Sequence, residues 1–155
     1  SGALSRVAGL FSSRGYNIES LSVSATDDPA LSRITLVTNG SDAVVQQIVN
    51  QLHKLIDVVA ADNMTSEDHL ERELALIKVR VKPAQRDAVR SLVEKAGGRV
   101  LAEGSDCHIV EIASSEADIS ALSQALAAQC ELLEIVRSGA LAMSRQAGIL
   151  HVVES

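Results

Sequence analysis

Hydrophobic spacing changes period at Gly15, and this change constrains the fold more than any other feature. Before it, Leu4, Val7, Ala8 and Phe11 recur at the i, i+3, i+4, i+7 spacing of an amphipathic helix. After it, Leu21, Val23 and Ala25 alternate with Ser20, Ser22 and Ser24, which predicts a strand over 18–25 with one apolar face. Ser1 is placed to cap the helix, and Gly15 after Arg14 is placed to stop it. A chain that switches in this way, repeatedly, must pack helices against a sheet.

The pattern continues. Asp27-Asp28-Pro29 is read as a turn, and 31–38 as a second strand with Ile34 and Leu36 inward, so that the two strands form a hairpin. Asn39-Gly40 breaks the chain and Ser41 caps a second helix, with Val44, Val45, Ile48, Leu52 and Leu55 on its stripe and His53 and Lys54 at its end. Residues 57–63 predict a third strand, and 64–70 are polar and read as a linker. The layout then repeats. Residues 71–82 predict a strand whose apolar phase slips near Leu76–Ile77, as a bulge would cause, and Glu71, Arg72 and Glu73 are read as solvated charges at its start. A helix follows over 84–96, stopped by Gly97-Gly98. Strands follow over 99–103 and 107–113, then a helix capped by Ser114 or Ser115 and running to Ala128, and a strand over 131–137. Ile149 to Val153 suggests one more short strand.

The order is therefore α-β-β-α-β followed by β-α-β-β-α-β. The fold class is α+β: two ferredoxin-like βαββαβ sandwiches in tandem, over 1–64 and 70–155, the first lacking its N-terminal strand. In such a unit the first strand lies centrally, between the third and fourth. The first half thus predicts an apolar strand upstream of Ser1.

Composition removes several function classes. Apolar residues make up 46% of the 155, enough for packed cores, yet Phe11 and Tyr16 are the only aromatics. That argues against stacking nucleic-acid bases on rings. A net charge of −6 disfavours phosphate backbones and anionic lipid, so neither nucleic acid nor membrane is expected as a partner. No secretory signal or membrane-spanning run is visible, and Cys107 and Cys130 lack CxxC spacing, which fits a reduced cytoplasmic setting. His53, His69, His108 and His151 follow no metal-ligand spacing and are read as surface or satisfied. No hydrolase, P-loop or zincin motif occurs, so no catalytic residues are assigned and no metal or cofactor is expected in this chain.

The run SGALSRVAGLFSSRGYNIESLSV, followed by TDDPALSR, resembles the N-terminal ACT domain of the acetolactate synthase (acetohydroxyacid synthase) small regulatory subunit. HLERELALIKV resembles that family's second, ACT-like domain, and EIVRSGALAMSR its C-terminal segment. The likeness is densest over 1–36 and looser over 83–128. It implies a non-catalytic partner of a large catalytic subunit that uses thiamine diphosphate, Mg and FAD. It further implies stimulation of that subunit, feedback inhibition by valine, and a homodimer built by side-by-side pairing of ACT domains. By the same resemblance the effector lies at that pairing interface, between the loop at Gly2, Ala3 and Leu4 of one chain and Asn17 of its partner.

The chemistry of these residues agrees. A carboxylate suits the bare N–H groups of Gly2 and Ala3 at a helix start. An ammonium needs acceptors such as the Asn17 amide oxygen, and a branched side chain needs an apolar wall, for which Leu4 and Ile18 are candidates. Valine, leucine and isoleucine all satisfy this description. Ser24, on the small polar face, is a candidate for tuning the choice, and Arg137 and Arg145 are candidates either for a partner contact or for plain surface roles. The alternative is a stand-alone amino-acid sensor with no enzyme partner.

Overall fold

The computed structural model describes residues 2–147. They divide into two compact units, one within 1–70 joined by residues from 142 onward, the other over Glu71–Leu141. The capping role assigned to Ser1 and the strand suggested at 149–153 lie outside the described residues.

The first unit contains α1 (Gly2–Arg14), β1 (Ile18–Ala25), β2 (Ser32–Thr38) and α2 (Asp42–Leu52). β1 and β2 form an antiparallel hairpin with Leu21 opposite Leu36 and Val23 opposite Ile34. Ile34 and Leu36 face the core as the alternation requires, packing on Val7, Phe11 and Ile48 from the helices. Ile18 has the wrong parity to share a face with Leu21, and a register shift between Ile18 and Ser20 corrects it, bringing Ile18 onto the same core. Val23, read as inward, is 48% exposed. Ser41 caps α2, its hydroxyl accepting from the Val44 N–H at 3.3 Å.

No strand forms over 57–63; the segment is turn and coil. In a βαββαβ unit the last strand pairs only with the first, and the described residues of this unit contain no such first strand. A short extended segment without a ladder partner leaves its backbone groups to water or local turns. Val58 still packs against the first core, as does Leu55 just before the segment, whereas Val59 is exposed.

The second unit is a complete βαββαβ sandwich. β3 (His69–Arg80) begins it, followed by a 3₁₀ turn (Pro83–Gln85), α3 (Arg86–Lys95), β4 (Arg99–Glu103), β5 (Cys107–Ser114), α4 (Glu116–Gln129) and β6 (Glu131–Arg137). The sheet order is β4-β5-β3-β6, with the first strand central as expected. Ser115, not Ser114, caps α4 by accepting from the Asp118 N–H. A strand that the spacing did not suggest, β7 (Leu141–Ser144), pairs with β3.

The bulge expected near Leu76–Ile77 is absent. β3 pairs with β5 in unbroken register from Glu73 opposite Ser114 to Arg80 opposite Cys107. Ala75, Ile77, Val79 and Val81 all face the helices and are buried with Val89, Val93, Ile119, Leu122 and Leu126. Leu74 and Leu76 point to the opposite face, and the apparent slip is a strand that is apolar on both sides. The irregularity that does exist lies against β6, between Lys78 and Val79.

Candidate functional site

The residues expected to hold a small effector lie at the two ends of α1. Gly2 and Ala3 occupy its first turn, and Leu4 is 39% exposed beside them. The first N–H groups of a helix have no carbonyl partner within it, and this turn carries no acidic residue to occupy or repel an approaching anion. The arrangement presents donors to a carboxylate, with an apolar side chain alongside.

The other end is held by a defined stop. Gly15 adopts φ +68°, its N–H donates to the Ser12 carbonyl at 3.3 Å, and the Tyr16 N–H donates to the Phe11 carbonyl at 2.9 Å. This is a Schellman closure, and its usual apolar contact is present as Tyr16 against Phe11. Asn17 then emerges exposed, and Ile18 turns inward as β1 begins. The Thr38 hydroxyl donates to the Asn17 carbonyl, and the Asn39 amide donates to Glu19. The end of β2 thereby fixes the backbone from which the Asn17 side chain projects. Thr38, Glu19 and Asn39 were not among the site residues inferred from spacing. Their role depends on the hairpin register, and Asn39-Gly40 reads only as a break.

Within one chain the two ends stay apart. Twelve helical steps of 1.5 Å separate Gly2 from Arg14, about 18 Å. Ala3, Leu4 and Gly2 are brought together, as are Asn17 and Ile18, but the two groups do not meet in a single protomer.

The second unit holds no rival site. Arg137 clasps Glu73 through two hydrogen bonds, at 3.0 and 3.3 Å, so Glu73 is buried and paired rather than solvated. In the first unit Arg145 pairs with Asp68 at 3.0 Å. A cleft of about 350 Å³ lies between Arg80, Lys82, Gln85 and Cys130, but Arg80 already pairs with Glu131. Burial pushes the Cys130 thiol up, the opposite of an activated nucleophile, and its Sγ donates to the Leu126 carbonyl at 3.2 Å. His53 and His69 bond to backbone carbonyls, whereas His108 is buried with Nδ1 lacking a partner, contrary to the satisfied role expected of it. Among the described residues no three His, Cys, Asp or Glu side chains form a metal-binding group, and no helix is long and apolar enough to cross a membrane.

Comparison with known proteins covers both units. Residues 1–60 match the family model described as an AHAS small subunit-like ACT domain, and residues 72–146 match the model for the small subunit of acetolactate synthase. The chain is 43% identical over 145 residues to the acetolactate synthase small subunit of Haemophilus influenzae, covering 94% of this chain and 89% of that protein. It is 41% identical over 145 residues to the acetolactate synthase isozyme 3 small subunit of Escherichia coli, with the same coverage. Its structure is similar to the crystal structure of the acetolactate synthase small subunit from Thermotoga maritima, with a TM-score of 0.82, 34% identity, and coverage of 95% of this chain and 91% of that one. With both halves matched in order and relatives aligned over nearly its whole length, the chain belongs to the acetolactate synthase small subunit family.

Proposed function

We propose that this chain is a regulatory subunit that binds the large catalytic subunit of an acetolactate synthase, raises its activity, and makes it sensitive to valine. The observation that carries this reading is the match of both halves, in order, to small-subunit models. Relatives that are named as subunits favour an enzyme partner over a stand-alone sensor. The chemistry belongs to the partner, which would hold the thiamine diphosphate, Mg and FAD, and the complex would work in the cytoplasm.

Two copies of the chain pair side by side through their first units, placing Gly2 of one protomer near Asn17 of its partner. The valine carboxylate takes N–H groups of Gly2 and Ala3, where the dipole of α1 favours negative charge. The ammonium is held by backbone carbonyls and the Asn17 amide oxygen. The isopropyl group rests on Leu4 and on Ile18, which the core of Val7 and Phe11 backs. Because the site is shared, occupancy biases the geometry of the pair. A coupling of about 1–3 kcal/mol changes the partner's activity roughly 5–150-fold.

Calorimetry with valine tests the site. Full-length protein is expected to bind and Asn17→Ala to bind at least about tenfold more weakly, the loss of one hydrogen bond to a charged group. Equal affinity would remove Asn17 from the site. Adding the chain to purified catalytic subunit tests the partnership: rate rises without valine and falls back with it. A rate indifferent to the chain would overturn the proposal.

A further inference from the structure

Just after Asn17, β1 carries one residue more than the strand it pairs with. Ile18 stands opposite Thr38 and Ser20 opposite Val37, so β1 advances two residues while β2 advances one, and Glu19 is the extra residue of a bulge. Ile18 packs on the first core, and Leu21 stands opposite Leu36, which packs there too. Strict alternation back from Leu21 would turn Glu19 toward that core and Ile18 away from it. The extra residue reverses both. Ile18 goes in, and Glu19 emerges exposed, two residues from the exposed Asn17.

The Glu19 carboxylate is held where it emerges. The Asn39 amide donates to its Oε1, and the Thr38 hydroxyl donates to the Asn17 carbonyl, so two consecutive residues at the end of β2 fix the stretch that carries both side chains. Among the described residues no lysine or arginine pairs with Glu19. A carboxylate fixed by a neutral donor and left without a cation is free to take one from outside, and a hydrogen bond from an ammonium is roughly twice as strong as one between neutral groups. The start of α1 has the opposite character, with N–H groups that lack helical partners and no acidic residue in the first turn. The two ends thus offer donors for a carboxylate and a carboxylate for an ammonium, the complement of a zwitterion.

We propose that Glu19 is the anionic half of the effector site, its carboxylate accepting from the ammonium of an α-amino acid beside the Asn17 amide oxygen of the same protomer. The proposal rests on the effector site described above and adds to it a residue and a rule of selection. A 2-oxo acid of the same carbon skeleton carries a carbonyl oxygen where the amino acid carries its ammonium, and that oxygen would meet Glu19 acceptor to acceptor. The site therefore takes amino acids and refuses their 2-oxo counterparts, and Glu19 selects the class of ligand rather than its side chain. The bulge and the Asn39 contact lessen the freedom that Glu19 loses on binding.

Calorimetry on the full-length protein tests it, with valine as ligand and 3-methyl-2-oxobutanoate as competitor. Glu19→Gln keeps the length of the side chain and an oxygen for the Asn39 amide while removing the charge. It is expected to raise the valine dissociation constant at least about tenfold, the loss of a hydrogen bond to a charged group. Its preference for valine over the 2-oxo acid is expected to fall by at least as much, because the new amide N–H can donate to the carbonyl. Its melting temperature is expected to match the parent's, since an exposed side chain has been changed with its Asn39 bond retained. A Glu19→Gln protein that binds valine as the parent does overturns the proposal. So does one that loses both ligands in equal measure or melts well below the parent, because Glu19 then serves only the shape of the site. A 2-oxo acid too weak to displace valine from either protein leaves the valine loss, at an unchanged melting temperature, as the deciding result. Asn17→Ala, measured alongside, separates this proposal from the reading beneath it. Valine bound by the parent and by Glu19→Gln alike, but not by Asn17→Ala, removes Glu19 alone, whereas a parent that binds no valine removes the effector site and Glu19 with it.

Discussion

The ring of Tyr16 meets that of Phe11 edge to face, with centroids 5.7 Å apart and planes at 75°. Phe11 is buried in the first core, and Tyr16 is the residue immediately before Asn17. The contact thus ties the point where Asn17 leaves the helix to the packing beneath it. In the proposed shared site, such anchoring would lessen the freedom that the Asn17 side chain loses on binding.

Phe11→Ala is expected to destabilise the protein by about 3–5 kcal/mol, the usual loss for a buried aromatic ring. Gly15→Ala, at φ +68° with open space around the added Cβ, is expected to cost only about 1–2 kcal/mol, from backbone strain alone. Thermal denaturation of the two variants checks the ranking. A larger loss for Gly15→Ala would mean that the helix stop, not the ring, holds the junction.

Gly98→Ala is expected to be worse than Gly97→Ala, although only Gly97 has a positive φ. A Cβ on Gly98 would lie 2.7 Å from the Glu111 carbonyl oxygen and 3.3 Å from Val93, both within packed elements. Overpacking of this kind costs about 1–3 kcal/mol and would push β4 away from β5. Chemical denaturation checks the order, with Gly97→Ala costing about 1–2 kcal/mol.

Glu73 and Arg137 are diagonal neighbours on adjacent strands, since Arg137 stands opposite Ala75. Removing one partner leaves the other half-desolvated. Glu73→Ala is expected to cost about 2–3 kcal/mol, and the paired exchange Glu73→Arg with Arg137→Glu is expected to recover part of it. A double-mutant cycle measured by urea unfolding checks this; additive losses would show the two side chains to be independent.

Glu103 is held below the ordinary carboxylate range by its hydrogen bond and charge interaction with Arg90, 2.6 Å away. A lowered folded-state value means that the contribution is present above the unfolded value and is lost as pH falls through the folded one. The melting-temperature gap between the parent and Arg90→Met is therefore expected to be present at neutral pH and to close as acidification protonates the Glu103 carboxylate in the folded state. Both groups are exposed, so the gap is expected to be small and to shrink in high salt. A gap that widens on acidification would contradict the assignment.

Much of this architecture was legible in the chain itself. The 3.6-residue stripe of Leu4, Val7 and Phe11, the stops at Gly15 and Gly97, and the caps at Ser41 and Ser115 all act within a few residues, so local spacing reports them. The order of elements followed, and with it the central place of β3. The residues Gly2, Ala3, Leu4, Asn17 and Ile18 could be named from the same local signals together with a family resemblance.

What local spacing could not decide was which surface meets which. A segment such as 57–63 becomes a strand only if another strand offers it a ladder, and that partner is set by the fold rather than by the segment. Leu74 and Leu76 looked like a slipped phase because periodicity cannot separate a bulge from a strand that is apolar on both faces; the unbroken register with β5 does. Glu73 looked solvated because Arg137 is 64 residues away along the chain and adjacent only across the sheet. The sequence by itself determined the helices and most of the strands in their order, since turns, caps and periods are short-range, but not the coil at 57–63 or β7, which depend on pairing partners. Only the tertiary structure decided burial and pairing, since each is a relation between residues that the chain keeps far apart.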